Sequence, residues 1–135
     1  MTLTDTGPLV AIVDSGERAH SACKALLPSL RPPLVSTWPC FTEAMYLLGK
    51  SGGYLFQQAL WNIYLSGVLI IHEQGIQEAD KMRLLMDKYR DAPMDLADAS
   101  VVAAAEILNV HTIFTLDKHF YAYRQANGQA FIVTP

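Results

Sequence analysis

The chain has little charge, few cysteines and no long apolar run, and each shortage excludes a class of protein. Only 17% of its 135 residues are Asp, Glu, Lys or Arg, whereas 51% are hydrophobic. No apolar stretch approaches the roughly 20 residues of a membrane-spanning helix, and no basic segment followed by an apolar stretch opens the sequence. We therefore expect a cytoplasmic protein that makes no use of a membrane. The low charge content also favours a surface that is partly covered by a partner.

The two cysteines, Cys23 and Cys40, form neither a disulfide framework nor a CxxC pair, so each is interpreted as a buried thiol. The formal net charge of −3 excludes a general basic field that would attract nucleic acid. Any contact with RNA must then depend on a local patch or on bound cations. A chain of this length can bury a core of its own, and no repeat or long linker divides it. We expect a single domain over residues 1–135.

Short apolar runs alternate with helical patterns along the sequence. Strands are predicted at 1–5, 34–37, 68–71, 112–116 and 130–133. Helices are predicted at 9–13, 17–27, 39–49, 54–65, 77–89, 95–108 and 120–125, with Gly52 and Gly53 separating the third helix from the fourth. Strands that alternate with helices form a mostly parallel sheet covered on both faces. The sequence therefore predicts an α/β fold.

Four acidic residues lie where predicted strands or helices begin or end: Asp5, Glu43, Asp98 and Asp117. Asp5 closes the first strand and Asp117 closes the fourth, and ligands of open α/β sheets bind at this edge. Glu43 has almost entirely apolar neighbours, and Asp98 begins a helix of small residues. Four carboxylates in one cleft either have raised pKa values or bind a divalent cation. We interpret the four as a metal-binding and catalytic set.

Each acid also has an ordinary structural interpretation. Asp5 and Asp117 could be turn or cap residues, and Glu43 could be a solvated position on a helix. Asp95 is predicted to be the N-cap of its helix, where Asp98 would favour the positive helix end. All four explanations must hold together for the set to be structural, and the shared placement of the acids argues against that.

The sequence resembles the PIN-domain family, and within it the VapC-like ribonuclease toxins, over essentially the whole chain. The segments that carry the resemblance are Leu3-Thr4-Asp5-Thr6-Gly7-Pro8-Leu9-Val10, Thr42-Glu43-Ala44 with Tyr46-Leu47-Leu48, Met94-Asp95-Leu96-Ala97-Asp98-Ala99, and Phe114-Thr115-Leu116-Asp117 with Phe120. It implies a three-layer α/β/α sandwich with a mostly parallel five-stranded sheet. It also implies one or two Mg²⁺ or Mn²⁺ ions held by the four acids, a homodimer, a cognate antitoxin, and RNA cleavage that leaves 5′-phosphate and 3′-hydroxyl ends.

Oxygen ligands without His or Cys companions select Mg²⁺ or Mn²⁺ over zinc. Such an ion activates a water and stabilises the leaving oxygen of a phosphodiester, so no protein nucleophile is needed. We expect Asp5 and Asp98 to be direct or bridging ligands, and Glu43 and Asp117 to hold the metal or its water. Three neighbours are expected to support the acids: Thr6, Asp95 and Thr115, the last by orienting the carboxylate of Asp117.

Candidate substrate contacts are the cations Arg18, Lys50, Lys118 and His119, with Arg124 as a further one. Each has the alternative of an ordinary surface charge. The aromatic residues Trp38, Trp61 and Tyr64 could stack on bases, but packing or a subunit interface is the preferred interpretation. No role is assigned to His20, His72 or His111.

Two other classes of function stay open. A non-catalytic PIN-like module that binds RNA or protein would share the fold but would bind no cation. A haloacid-dehalogenase-like phosphatase would need a second aspartate two residues after the first, and Asp5 is followed by Thr6-Gly7. The predicted function is a metal-dependent endoribonuclease, a hydrolase of phosphodiester bonds, acting as the toxin of a type II toxin-antitoxin pair. The RNA target is left open.

Overall fold

The computed structural model describes all residues from Met1 to Pro135 and contains one five-stranded sheet. The strands are β1 (Thr2–Thr4), β2 (Leu34–Thr37), β3 (Leu69–His72), β4 (Thr112–Phe114) and β5 (Ile132–Thr134). Their order in the sheet is β3-β2-β1-β4-β5, and every neighbouring pair is parallel. The predicted α/β fold is confirmed. Because the strand order reverses beside β1, a crevice opens at the carboxyl ends of β1 and β4, where ligands of such sheets bind.

Five α-helices cover the two faces of the sheet: α1 (Thr6–Val13), α2 (His20–Leu26), α3 (Trp38–Leu65), α4 (Ile76–Lys88) and α5 (Leu96–Leu108). Successive strand residues point to opposite faces, so Leu34 packs with α1 and α3 whereas Val35 packs with α5. The small residues of α5 are buried almost throughout, which lets this helix lie close against the sheet. None of the helices is long and apolar enough to cross a membrane.

The predicted break at Gly52 and Gly53 is present as a kink inside α3. Gly53 has φ 66° and ψ −158°, a conformation that is accessible to glycine and strained for residues with a Cβ atom. The helix therefore changes direction between the half that carries Glu43 and the half from Tyr54 to Leu65.

The helix predicted at 120–125 is wrong. The structure has a short 3₁₀ helix over Lys118–Tyr121, and Arg124 then forms an antiparallel bridge with Ala130. The N–H of Gln125 donates to the carbonyl of Gln129 at 2.9 Å, so the chain returns in a hairpin instead of continuing a helix. The helix predicted at 17–27 begins only at His20, because a turn closed by Asp14 precedes it.

Candidate active site

The four predicted acids line one cleft of about 290 Å³ at the carboxyl edge of the sheet. Thr6 and Asp95 line the same cleft. Asp5 follows β1 and is the N-cap residue of α1, while Asp117 lies three residues beyond the end of β4. Glu43 reaches the cleft from the first half of α3, and Asp98 from the first turn of α5. Residues that are far apart in sequence thus meet where the strand order reverses.

Asp5 is buried and held by side-chain hydrogen bonds to both of its carboxylate oxygens. Its side chain is 6% exposed, and its Oδ2 accepts a hydrogen bond from the Thr115 hydroxyl at 2.8 Å. The Cys40 thiol donates to Oδ1 at 3.6 Å. Burial raises the pKa of Asp5 above its ordinary value, these hydrogen bonds lower it in part, and the charge of Asp117 raises it further. No Lys or Arg lines the cleft, so no cationic side chain there offsets the charge that Asp5 carries when it is ionised.

Asp98 is held in a capping box with Asp95. The N–H of Asp98 donates to Asp95 Oδ1 at 2.8 Å, and the N–H of Asp95 donates to Asp98 Oδ2 at 3.4 Å. The buried hydroxyl of Tyr123 donates to the same Oδ2 at 3.0 Å. Burial, followed by the charge of Asp95, raises the pKa of Asp98 to about 7. The predicted cap at Asp95 is present, and it directs Asp98 into the cleft.

Glu43 and Asp117 are less buried and are each held through one oxygen. The Thr6 hydroxyl donates to Glu43 Oε2 at 3.0 Å. Asp117 Oδ1 accepts from the N–H of His119 at 2.9 Å and lies 2.7 Å from His119 Nδ1. In Glu43, Asp117 and Asp98 alike, the side-chain hydrogen bonds run to one oxygen, which leaves the other oxygen available to a ligand.

Thr115 supports a different acid from the one predicted. Its single hydroxyl hydrogen goes to Asp5, and its oxygen accepts from the backbone N–H of Asp117 at 3.0 Å. Thr115 therefore orients the carboxylate of Asp5 and fixes only the backbone of Asp117. A hydroxyl has one proton to donate, so it cannot also donate to the Asp117 carboxylate.

The chemistry of the cleft fits a hard divalent cation. The facing groups are carboxylate oxygens without Lys or Arg, and the burial and repulsion that raise the pKa values of Asp5 and Asp98 would be relieved by a positive ion. No three His, Cys, Asp or Glu side chains are arranged to hold a metal ion as they stand. Glu43 has an exposed side chain and is held by a hydrogen bond from the Thr6 hydroxyl.

The predicted substrate contacts lie outside the cleft. Arg18, Lys50, Lys118 and His119 are all exposed, and none of them lines it. Only His119 contacts an acid of the site, through Asp117. Arg124 donates to the carbonyls of Tyr121 and Tyr123. The predicted roles of these cations in substrate binding stay predictions.

Two residues that hold the acids were missed from the sequence, Cys40 and Tyr123. Cys40 lies three residues before Glu43 on the same helix, so its position near the site could have been inferred from helical spacing. Tyr123 gave no such signal, because its position depends on the turn and hairpin that replace the predicted helix.

The acidic cleft lies at the point where the parallel sheet reverses its strand order, which agrees with the predicted PIN-like fold. No protein-family model matches the chain. The chain is 30% identical to Ribonuclease VapC26 of Mycobacterium tuberculosis (strain ATCC 25618 / H37Rv) over 134 residues, which are 98% of this chain and 99% of that protein. The chain therefore belongs to the VapC family of PIN-domain ribonuclease toxins.

The fold is also found in solved structures. The crystal structure of Mycobacterium tuberculosis VapC20, described as a sarcin-ricin loop cleaving toxin, matches with a TM-score of 0.81 and 18% identity over 87% of this chain and 90% of that chain. A toxin-antitoxin complex from Klebsiella pneumoniae matches with a TM-score of 0.65 and 23% identity over 89% of this chain and 90% of that chain.

Proposed function

We propose that the protein is a Mg²⁺- or Mn²⁺-dependent endoribonuclease in which Asp5, Glu43, Asp98 and Asp117 hold one or two ions. The observation that carries this proposal is the meeting of all four carboxylates in one cleft that contains no Lys or Arg. Raised pKa values at Asp5 and Asp98 support it, because a group of acids without a counter-charge is costly unless it serves a cation.

A bound divalent ion would supply charge that activates the attacking water and stabilises the leaving 3′ oxygen, leaving 5′-phosphate and 3′-hydroxyl ends. The side chains of the protein hold the carboxylates in position. Thr115 fixes Asp5, Tyr123 fixes Asp98 and Thr6 fixes Glu43, each through a hydrogen bond to one carboxylate oxygen. Burial raises the pKa of Asp98 in the metal-free protein to about 7, so an ion that binds Asp98 competes with its proton, and we expect ion binding to weaken as pH falls.

We further propose that a cognate antitoxin silences the protein by covering the acidic cleft, and that the protein forms a homodimer. The Klebsiella pneumoniae structure that shares the fold is itself a toxin-antitoxin complex. The second half of α3 offers a surface for association, because Tyr54, Leu55 and Leu65 are 70%, 70% and 75% exposed. Large apolar side chains exposed along one helix are typical of surfaces that meet another protein.

Cleavage of RNA by the antitoxin-free protein tests the proposed function. Mixed RNA is incubated with Mg²⁺ or Mn²⁺, with EDTA, and with the variants Asp5→Asn and Asp80→Asn. Asp80 is an exposed acid on α4 outside the cleft, so it controls for the loss of one charge. We expect Asp5→Asn to lower cleavage by roughly 100-fold or more, since several kcal/mol of charge stabilisation depend on the ion.

Cleavage that survives both EDTA and Asp5→Asn would contradict the metal-dependent mechanism. A protein that cleaves no RNA under any of these conditions would instead be the non-catalytic binding module.

A further inference from the structure

A second, open cleft of about 610 Å³ adjoins the acidic one and shares Glu43 and Asp95 with it. Two aromatic side chains line it and are partly exposed, Trp38 at 40% and Tyr46 at 62%. We call this cleft the Trp38 pocket. An exposed indole and phenol beside a catalytic cleft present flat apolar surface to whatever binds there.

Neither cleft is lined by Lys or Arg, and the chain as a whole carries a net charge of −3. A phosphate backbone that approaches the four acids is repelled unless cations intervene. Much of the affinity for a polynucleotide must then come from contacts that do not depend on charge. Stacking of a base on an aromatic side chain is such a contact, and it is tolerant of sequence because every base has a π face.

The Trp38 side chain is held in place before any ligand arrives. Trp38 is the first residue of α3, and its ring packs edge-on against the buried Phe41 with 5.5 Å between centroids. A ring that is already fixed loses little conformational entropy when a base stacks on it. Lys50 does not line the pocket, but its ammonium lies 5.4 Å from the centroid of the Tyr46 ring, which does. This places one cation near the pocket, where a phosphate of the bound nucleotide could meet it.

We propose that the Trp38 pocket binds an unstacked nucleobase of the RNA next to the phosphate in the acidic cleft. The base stacks on Trp38 and Tyr46, and Lys50 meets its phosphate. The inference rests on the proposed function in that it takes RNA as the substrate. Bases inside a duplex are stacked on one another, so the pocket selects single strands, loops and bulges over paired RNA.

The chain offers a matched control for Trp38. Trp61 also packs edge-on against Phe41, at 5.0 Å, and is 39% exposed, but it lines neither cleft. Trp38→Leu and Trp61→Leu therefore remove the same side chain from the same aromatic cluster. Only the first removes it from the Trp38 pocket.

The test measures binding and does not need cleavage. A fluorescein-labelled single-stranded RNA hexamer and a hexamer with abasic central positions are titrated with each protein in Ca²⁺, and gels confirm that the RNA stays intact. We expect Trp38→Leu to weaken binding of the normal hexamer about 5- to 150-fold, the equivalent of the 1–3 kcal/mol of a stacked base. Trp61→Leu should bind like the original protein, and the abasic hexamer should bind weakly to all three.

Three results would overturn the proposal: equal effects of the two tryptophan variants, abasic RNA that binds as tightly as normal RNA, or a change of oligomeric state in Trp38→Leu. The last, read by sedimentation velocity, would make the pocket a subunit interface. Circular dichroism checks folding, and Tyr46→Leu serves as the second variant if Trp38→Leu does not fold. Binding that depends on the bases, without any cleavage, would contradict the proposed function and support the Trp38 pocket. Metal-dependent cleavage together with unchanged RNA binding by Trp38→Leu would support the proposed function and contradict the pocket.

Discussion

The raised pKa of Asp98 predicts how the stability of the metal-free protein depends on pH. Burial and the charge of Asp95 raise this pKa from 3.8 to about 7, so the folded protein keeps a proton that the unfolded chain releases. The resulting stability is fully present below the unfolded value and is lost as pH rises through the folded value. Because a tenfold change in acid strength corresponds to about 1.4 kcal/mol, Asp98 contributes at most about 4 kcal/mol. From about pH 5 to about pH 8, the full shift would correspond to about 2 to 3 kcal/mol, and because solvent screens part of the interaction we expect a loss of about 1 to 2 kcal/mol.

Asp98→Asn isolates this contribution, because the amide has the shape of the carboxyl but does not titrate. Urea unfolding in EDTA at about pH 5 and about pH 8 gives the free energy of unfolding of each protein. We expect the loss of stability between the two pH values to be smaller in Asp98→Asn by about 1 to 2 kcal/mol. Asp80→Asn should keep the original pH dependence, since Asp80 is exposed and outside the cleft. An unchanged pH dependence in Asp98→Asn would refute the assignment of the raised pKa.

The same experiment with a divalent ion tests the proposed metal site without measuring activity. An ion that binds only the folded state stabilises it by about 2.7 kcal/mol at 100 times its dissociation constant. Because the ion competes with the Asp98 proton, Mg²⁺ should stabilise the protein more at about pH 8 than at about pH 5. The stabilisation by Mg²⁺ should be much smaller in Asp98→Asn at both pH values. Equal stabilisation of both proteins would mean that the ion binds elsewhere.

Two further substitutions test single contacts. Thr115→Val removes the hydrogen bond to Asp5 in a nearly isosteric change. We expect the Mg²⁺ concentration needed for half-maximal cleavage to rise about 10- to 100-fold. An unchanged metal dependence would show that Thr115 does not hold Asp5. Gly53→Ala forces a Cβ atom onto a residue with φ 66°, and it should cost about 1–3 kcal/mol in urea unfolding. Gly75→Ala, at φ −89° with open space around it, should cost less, and equal losses would argue against strain at Gly53.

The sheet was predictable because its strands are short apolar runs with clear boundaries. Val68-Leu69-Ile70-Ile71 gave the position of β3 to within one residue, and Leu34–Thr37 gave β2 as it stands. The site followed from the same reasoning, since a parallel sheet brings the residues that follow its strands to one edge. Asp5 and Asp117 were placed in this way, and the cap pattern at Asp95 placed Asp98.

The contacts that hold the acids could not be predicted, because they join residues that are distant in sequence. Thr115 and Asp5 are 110 positions apart, and no local pattern shows which carboxylate a hydroxyl will reach. Tyr123 was missed for a related reason. The pattern of 120–125 resembles a helix, but pairing with the returning chain near Ala130 overrides that local preference.

The most direct test of the central claim is the location of Mn²⁺ in a crystal of the antitoxin-free protein, determined by anomalous scattering. We expect one or two peaks within the acidic cleft, in contact with oxygens of Asp5 and Asp98, and with Glu43 and Asp117 close to the ion or its water. A crystal grown at saturating Mn²⁺ that shows no peak in the cleft, or peaks only at other surfaces, would contradict the account.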